Sequence, residues 1–331
     1  MLVEMAVYGS TVQGGQEMDQ DRLETAETSA RLVGNSFKLG YRFQRYWDTS
    51  MALAFFFAEV GTGVFLVSFY LDFVPGMIAG LVVTGTLKPY FHLAHMGVPK
   101  KSWRAILRPD RSWISRGAIA IGVLIGFGAL HIIDLSFGVA VRLGLPEFTG
   151  QLLGYLAVAG ALAVMCYQGM AMSASESFTL WASVLLPISS FFYALTCGVM
   201  ITLVAAWGVL GAEQQVMLSN LAVALLVLDA AIVLAILLRA RAKSKGGQFS
   251  VNLLTRGEYA RSFITLVPVI GLIVPVIILA FGEGRWLAVL ATAMMLIGFF
   301  AFRLLMFKAA VFEPITHDLA GSIGLPSTRT T

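Results

Sequence analysis

HMGVPKKSWRAILRPDRSWISRG, residues 95–117, is a basic connector with two tryptophans that separates two apolar runs of the chain. Each run is about 20 residues long, the length of a helix that crosses the hydrocarbon core of a bilayer. With 58% hydrophobic and only 13% charged residues, the whole chain lies outside the range of soluble globular proteins. The sequence therefore predicts an integral membrane protein.

Eight apolar segments, separated by Gly, Pro and charged residues, are long enough to cross a membrane. Their hydrophobicity is continuous rather than alternating, which favours helices over the strands of a barrel. We expect an all-α integral membrane protein whose eight transmembrane helices pack as a bundle, with both termini on the same side. The predicted spans are residues 50–73, 75–96, 116–140, 149–171, 183–207, 216–238, 262–281 and 285–307.

The two ends of the chain differ in composition from its apolar centre. Residues 1–46 are polar, and they lack the short apolar core and cleavage site of a secretory signal, so we expect them to be retained. Residues 47–312 form the predicted transmembrane domain, and residues 313–331 form a short polar tail. Cys166 and Cys197 both fall inside predicted spans, and their spacing indicates neither a disulfide framework nor a metal site.

Lysine and arginine are distributed unevenly between the two predicted membrane faces. Of the 23 such residues, only Arg142 and Arg285 follow odd-numbered spans, and the other 21 belong to the face that would carry the termini. The positive-inside rule assigns that basic face to the cytoplasm. A surface that docks a partner subunit would produce the same bias, so both interpretations stay open.

The residues of the connector fall in a distinctive order: His95, Gly97, Pro99, Trp103, Arg104, Arg108, Pro109, Ser112, Trp113, Ser115, Arg116 and Gly117. This order resembles the NrfD-like membrane subunits, which include the anchor subunits of polysulfide reductases and, more distantly, of dimethyl sulfoxide reductases. In that family a span ends in Asp or His, followed by Leu-Gly-x-Pro, an Arg-rich stretch and Ser-Trp-x-Ser-Arg-Gly. The first span and residues 167–201 also resemble family segments, so the similarity covers about residues 47–312.

The resemblance implies a multi-pass subunit of a bacterial or archaeal cytoplasmic membrane that binds menaquinone or ubiquinone near one face. It implies no haem and no metal in this chain, and no nucleic-acid partner. Electrons would be exchanged with a four-cluster ferredoxin-like iron–sulfur subunit that serves a molybdenum or tungsten catalytic subunit carrying molybdopterin. The docking surface is expected on the connector, at Trp103, Arg104, Arg108, Arg111, Trp113 and Arg116.

Quinone chemistry moves protons together with electrons, so its site needs proton-exchanging or hydrogen-bonding groups beside the quinone oxygens. His95 matches the Asp/His position at the end of the second span, and histidine exchanges protons readily near neutral pH. Lys88 and His92 lie on the same predicted helix face, and Tyr167 matches a family Tyr-x-Gly position. These four residues are candidate quinone-binding groups. The alternatives are a helix cap for His95, structural pairing for Lys88 and His92, and an interfacial anchor for Tyr167.

Glu59 lies about 11 residues into the first span, which is roughly 16 Å along a helix that rises 1.5 Å per residue. Acidic residues inside spans are rare and usually functional. We expect Glu59 in the quinone site or in a proton path that continues through Asp229, His131 and Asp134. The alternative is that these groups tie helices together, with Lys88 as one possible partner of Glu59.

Met51 and Ala54 stand where some relatives carry Asn and His as quinone-site groups. The quinone geometry is therefore expected to differ, and a purely structural anchor with a degenerate quinone site is an alternative function. An ion- or proton-translocating transporter is a second alternative, although the chain shows no convincing inverted repeat. His131 lies about 15 residues past the start of its span, far from the face that carries His92 and His95, so it is not expected to share a haem iron with them. No P-loop or Ser-His-Asp pattern occurs.

Overall fold

The structure, a computed structural model, describes residues 42–146 and 148–313. Most of the predicted extension 1–46, His317 and the tail beyond residue 313 lie outside the described residues. The described chain is almost entirely helical. Its elements are β1 (Arg42–Phe43), α1 (Thr49–Tyr70), α2 (Val74–Val82), α3 (Lys88–His95), a 3₁₀ helix (Pro99–Ile106), α4 (Trp113–Phe137), α5 (Val139–Arg142), α6 (Phe148–Ser173), α7 (Leu185–Ala205), α8 (Ala212–Lys243), α9 (Lys245–Thr255), α10 (Ala260–Ile264), α11 (Val274–Phe281), α12 (Arg285–Lys308) and β2 (Val311–Phe312).

Seven helices within the described residues are long and apolar enough to cross a membrane. They are α1, α4, α6, α7, α8, α12 and the helical run Ala260–Phe281, which contains α10 and α11. Each lies on a predicted span, and most ends differ from the prediction by only a few residues. α8 differs most, because it continues five residues beyond the predicted end, to Lys243. The prediction of an all-α membrane protein is confirmed.

The second predicted span is helical from α2 to α3 but is not among these seven helices. A π-helical segment, Val83–Leu87, joins α2 and α3, and Pro89 is the second residue after it. Proline has no N–H to donate and its ring crowds the preceding turn, so a wider turn accommodates it within a helix. The run Ala260–Phe281 contains a similar segment, Thr265–Ile273, around Pro268. The count of eight spans stays a prediction.

α1 is the central helix of the bundle. It packs against α2, α3, α6, α7 and α12. Its closest approach is to α7, where a Cβ atom on Gly63 would overlap the backbone of Ala194 and Gly198. Small residues allow helices in a membrane to approach this closely and to gain van der Waals contact. The residues carried by α1 are therefore placed between most of the other helices.

The two ends of the described chain meet at one end of the bundle. β1 and β2 pair antiparallel, with Arg42 opposite Phe312. The Glu313 carboxylate accepts hydrogen bonds from Thr179 Oγ1, at 2.8 Å, and from Ser244 Oγ. These contacts join the α6–α7 and α8–α9 connections to the strands. One end of the bundle thus gathers segments that are far apart in the sequence.

The start of α1 is held at this same end by aromatic packing. The Trp47 ring stacks on Trp181 with 5.1 Å between centroids and meets Phe307 edge-on at 5.3 Å. The side-chain amide of Gln44 donates to the Trp47 carbonyl at 2.8 Å. Asp48, which follows Trp47 and precedes α1, therefore has a well-defined position.

Candidate functional site

Helix α3 brings three polar side chains, Lys88, His92 and His95, onto one face. Lys88 is buried, with only 4% of its surface exposed, and its Nζ lies 5.5 Å from the centroid of the Tyr167 ring. His92 Nδ1 is also buried and has no hydrogen-bond partner among the described residues. The four candidates that sequence analysis assigned to the membrane face thus lie at the same end of the bundle.

Tyr167 is buried rather than placed as an interfacial aromatic. Its ring lies against Gly117, where a Cβ atom would overlap the ring carbons. It also packs in a small apolar cluster with Ala58, Ala120 and Val164. The glycine that ends the connector is therefore needed because the tyrosine ring occupies the space of a side chain.

His95 is joined to the start of α1 by Asp48, a residue that sequence analysis missed. Asp48 Oδ1 lies 3.1 Å from His95 Nδ1 and also accepts the backbone N–H of Met51 at 3.1 Å. Asp is a favoured N-cap residue, so its position before α1 was a signal for the cap. Nothing local indicated the contact with His95. Met51 and Ala54 are buried in the apolar core and contribute no polar side chain.

Glu59 is paired with Arg303, and the expected alternative partner, Lys88, lies against Tyr167 instead. Arg303 Nε donates to Glu59 Oε2 at 3.1 Å, and Nη2 donates to Glu59 Oε1 and to Ser190 Oγ, the latter at 2.8 Å. Arg303 is 0% exposed. Its assignment to the basic face by the charge count was wrong, because the side chain turns into the bundle from α12.

A second group of buried polar side chains, on α7 and α8, lies beside this ion pair. Thr196 Oγ1 is 2.6 Å from Asp229 Oδ2 and 2.9 Å from the Phe192 carbonyl oxygen. The Tyr193 ring lies 5.7 Å from the Arg303 guanidinium. The Tyr193 hydroxyl, Asp229 Oδ1 and Arg303 Nη1 are buried without a hydrogen-bond partner among the described residues. This interior cluster therefore combines an acid, a phenol and a guanidinium whose polar atoms are not all paired within the described part of the chain.

His131 and Asp134 lie towards the opposite end of α4 from the connector and have structural partners there. His131 Nδ1 is 2.8 Å from the Gly150 carbonyl oxygen. Asp134 Oδ1 accepts the backbone N–H of Ala140 at 2.6 Å, across a turn in which Gly138 has a φ of 60°. This left-handed backbone favours glycine. The two side chains therefore brace the end of α4.

The connector presents basic and aromatic side chains on its 3₁₀ helix and the turn that follows. Trp103 is 58% exposed, and the guanidinium of Arg104 lies 5.7 Å from its ring. Arg108 and Arg111 are exposed as well. These four predicted docking residues form a surface that another protein can reach.

Arg116 is exposed and Trp113 is partly buried, and both hold the shape of the connector. Arg116 donates to the carbonyl oxygens of Pro109, at 2.8 Å, and Asp110, at 3.1 Å. Its guanidinium lies 4.3 Å from the centroid of the Trp113 ring. The Ser-Trp-x-Ser-Arg-Gly sequence therefore folds the connector back onto the start of α4.

Arg303→Met should strongly destabilise the protein because it leaves the Glu59 carboxylate buried without its partner. Breaking one side of a buried ion pair costs about 3–5 kcal/mol. The double variant Arg303→Met/Glu59→Leu should regain much of this loss, since neither charge remains. The melting temperature of the detergent-solubilised protein measures both effects. A double variant less stable than the single one would contradict this account of the pair.

No protein of curated function matches the chain. The family model described as polysulphide reductase, NrfD, matches residues 39–313, which include the connector and both polar clusters. Members of that family are membrane subunits of quinone-linked oxidoreductase complexes and typically partner with iron–sulfur and molybdopterin subunits. This chain, a multi-pass helical protein that the family model matches over most of its length, belongs to the polysulphide reductase NrfD family.

Proposed function

We propose that this protein is the quinone-reactive membrane anchor of a molybdenum- or tungsten-pterin oxidoreductase. In this role it exchanges electrons between the quinone pool and an iron–sulfur subunit docked on the connector. The observation that carries the proposal is the convergence of Lys88, His92, His95 and Tyr167 beside that connector. Eight membrane spans, with both termini on the side of the connector, complete the proposed architecture.

Lys88, His92, His95 and Tyr167 form what we call the membrane-face cluster. Its chemistry fits the head group of a quinone, either menaquinone or ubiquinone. A quinone has two carbonyl oxygens that accept hydrogen bonds and take up protons on reduction. Lys88 and Tyr167 provide donors that lie close together, and His92 Nδ1 is a buried nitrogen without a protein partner among the described residues. His95 is partly exposed at the same end of α3. Helix α3 and Tyr167 of α6 therefore provide both hydrogen-bond donors and proton acceptors.

Glu59 belongs, in this proposal, to the supply of protons. Its carboxylate accepts hydrogen bonds from Arg303, and the Tyr193 hydroxyl and Asp229 lie in the same buried region. We propose that protons reach or leave the quinone through Glu59 and Asp229, with His131 and Asp134 as the step nearest the opposite face. The alternative is that each of these groups only ties helices together.

His95→Ala should leave the complex assembled while quinol-linked turnover falls by roughly 10²–10⁴-fold, the loss typical of removing a positioned proton-transfer group. Leu93→Ala is the matched control, since Leu93 is exposed on the far side of the same helix. Steady-state turnover of the purified complex with a water-soluble quinol measures the effect. Unchanged turnover in His95→Ala removes His95 from the quinone site.

Trp103→Ser/Arg104→Ser should release the iron–sulfur subunit from this protein without unfolding it, because both side chains are exposed on the connector. Buried aromatic and arginine anchors carry much of the energy of a protein interface. Arg285→Ser/Trp286→Ser is the matched control, as it removes another exposed basic–aromatic pair, at the start of α12. Copurification of the iron–sulfur and molybdopterin subunits is measured. Equal retention in both variants argues against docking at Trp103.

Glu59→Gln and Asp229→Asn should slow quinol turnover, because each amide keeps the size of the side chain but no longer exchanges a proton. Glu59→Gln should also lower the melting temperature, since it leaves the buried Arg303 guanidinium without its carboxylate. Thr196→Val is the companion variant, since it removes the hydroxyl beside Asp229 and leaves the acid in place. Turnover is measured together with the melting temperature, to separate proton transfer from stability. Wild-type rates in both amide variants assign the acids to a structural role.

We propose that the connector faces the cytoplasm. The excess of Lys and Arg on the connector's side of the membrane remains when Lys88 and Arg303, which lie inside the bundle, are left out. Among the Lys and Arg residues of the described chain, only Arg142 and Arg285 lie at the opposite end of the bundle. Single cysteines at exposed Lys100 and Glu213 should therefore differ in labelling by a membrane-impermeant thiol reagent on intact cells.

In this labelling experiment, a background without Cys166 and Cys197 removes the native thiols. Labelling at position 213 and protection at position 100 is the expected result. Permeabilised cells, in which both positions should react, provide the control. The reverse pattern places the connector outside the cytoplasm.

A further inference from the structure

Asp48 and His95 form a dyad that joins the ends of the first two predicted spans. Asp48 precedes α1 with an extended backbone, at φ −97° and ψ −169°, and His95 is the last residue of α3. Their side chains meet at 3.1 Å between Asp48 Oδ1 and His95 Nδ1. The carboxylate also caps α1 through the Met51 N–H, so its position is set by the helix and not only by the histidine.

The contact decides which nitrogen of the His95 ring can react. A carboxylate only accepts hydrogen bonds, so the hydrogen shared with Asp48 belongs to His95 Nδ1. In the neutral ring the other nitrogen, Nε2, then carries the free lone pair. Nε2 has no hydrogen-bond partner among the described residues, whereas Nδ1 is engaged. The dyad therefore presents a fixed proton acceptor at the end of α3.

Both groups are accessible to a ligand at this end of the bundle. The His95 side chain is 22% exposed and that of Asp48 is 56% exposed. His95 also follows His92 and Lys88 along the same helix face, so a ligand held by those groups lies next to the ring. The start of α1 is anchored by the stacked Trp47 and Trp181 rings, which restricts movement of the carboxylate.

We infer that Asp48 is a positioning residue that orients His95 so that Nε2 exchanges one proton with a quinone oxygen. This inference rests on the proposed function and names one atom in it. When a quinol is oxidised, its O–H bond breaks and an N–H bond forms at Nε2, while the bond from Nδ1 to Asp48 is kept. The two electrons pass to the iron–sulfur subunit, and the second proton leaves through the other groups of the proposed path.

The test separates the two roles of Asp48, because Ser and Thr are good N-caps but are too short to reach His95. Asp48→Ser should keep the melting temperature and lower kcat for quinol about 10- to 100-fold, by analogy with the loss seen when the partner that orients a metal-binding histidine is removed. KM should change less than kcat. Asp48→Thr repeats the measurement if the serine variant does not assemble.

Ser244→Ala is the matched control for capping. Ser244 caps α9 through the Gly247 N–H at 3.0 Å and lies outside the connector and the proposed quinone site. This variant should lower stability and leave kcat unchanged. Loss of kcat in Ser244→Ala equal to that in Asp48→Ser would show that lost stability, and not orientation of the ring, explains the effect.

The decisive comparison combines Asp48→Ser with His95→Ala. If Asp48 acts through His95, the double variant turns over at the rate of His95→Ala alone, since the group being oriented is already gone. Additive losses, or wild-type kcat in Asp48→Ser and Asp48→Thr, overturn the inference. Wild-type turnover in His95→Ala is a different result, because it removes the histidine from the proposed quinone site itself.

Discussion

The ion pair between Glu59 and Arg303 is the interaction on which the interior of this bundle depends. Two charges away from water are tolerated only when they meet in good geometry and have further hydrogen bonds, which Ser190 supplies here. The partners come from α1 and α12, 244 residues apart in the chain. Their pairing requires α1, α7 and α12 to meet, and α1 is the helix around which α2, α3 and α6 also pack.

Helix α1 also separates the two polar regions of the protein. Ala58 packs in the cluster that contains Tyr167, while its neighbour Glu59 turns towards Arg303. Successive residues of an α-helix point about 100° apart, so one step along α1 changes which cluster a side chain faces. The membrane-face cluster and the interior cluster are therefore close in space but lie on different sides of one helix. The proposed transfer of protons between the quinone site and the interior would therefore cross this one helix.

Much of the fold followed from hydrophobicity and length. The fourth predicted span, 149–171, is observed as Phe148–Ser173, and the last, 285–307, as Arg285–Lys308. In a membrane the backbone must satisfy its own hydrogen bonds, and a helix satisfies them within one continuous apolar segment. The same argument could not predict the π-helical segment before Pro89. Helix propensity shows that a proline disturbs a helix, but it does not show how the backbone accommodates the disturbance.

The sequence by itself determined the class of protein, the positions of most helices and the shared face of Lys88, His92 and His95, because these depend only on composition and helical period. Only the tertiary structure decided the partners: Arg303 for Glu59, Asp48 for His95 and Thr196 for Asp229. Each pair joins residues at least 33 positions apart. The helical period of about 3.6 residues determines the face of a helix on which a side chain lies. Packing determines which neighbour lies opposite that face, because glycines such as Gly63 allow close approach and buried charges require a partner.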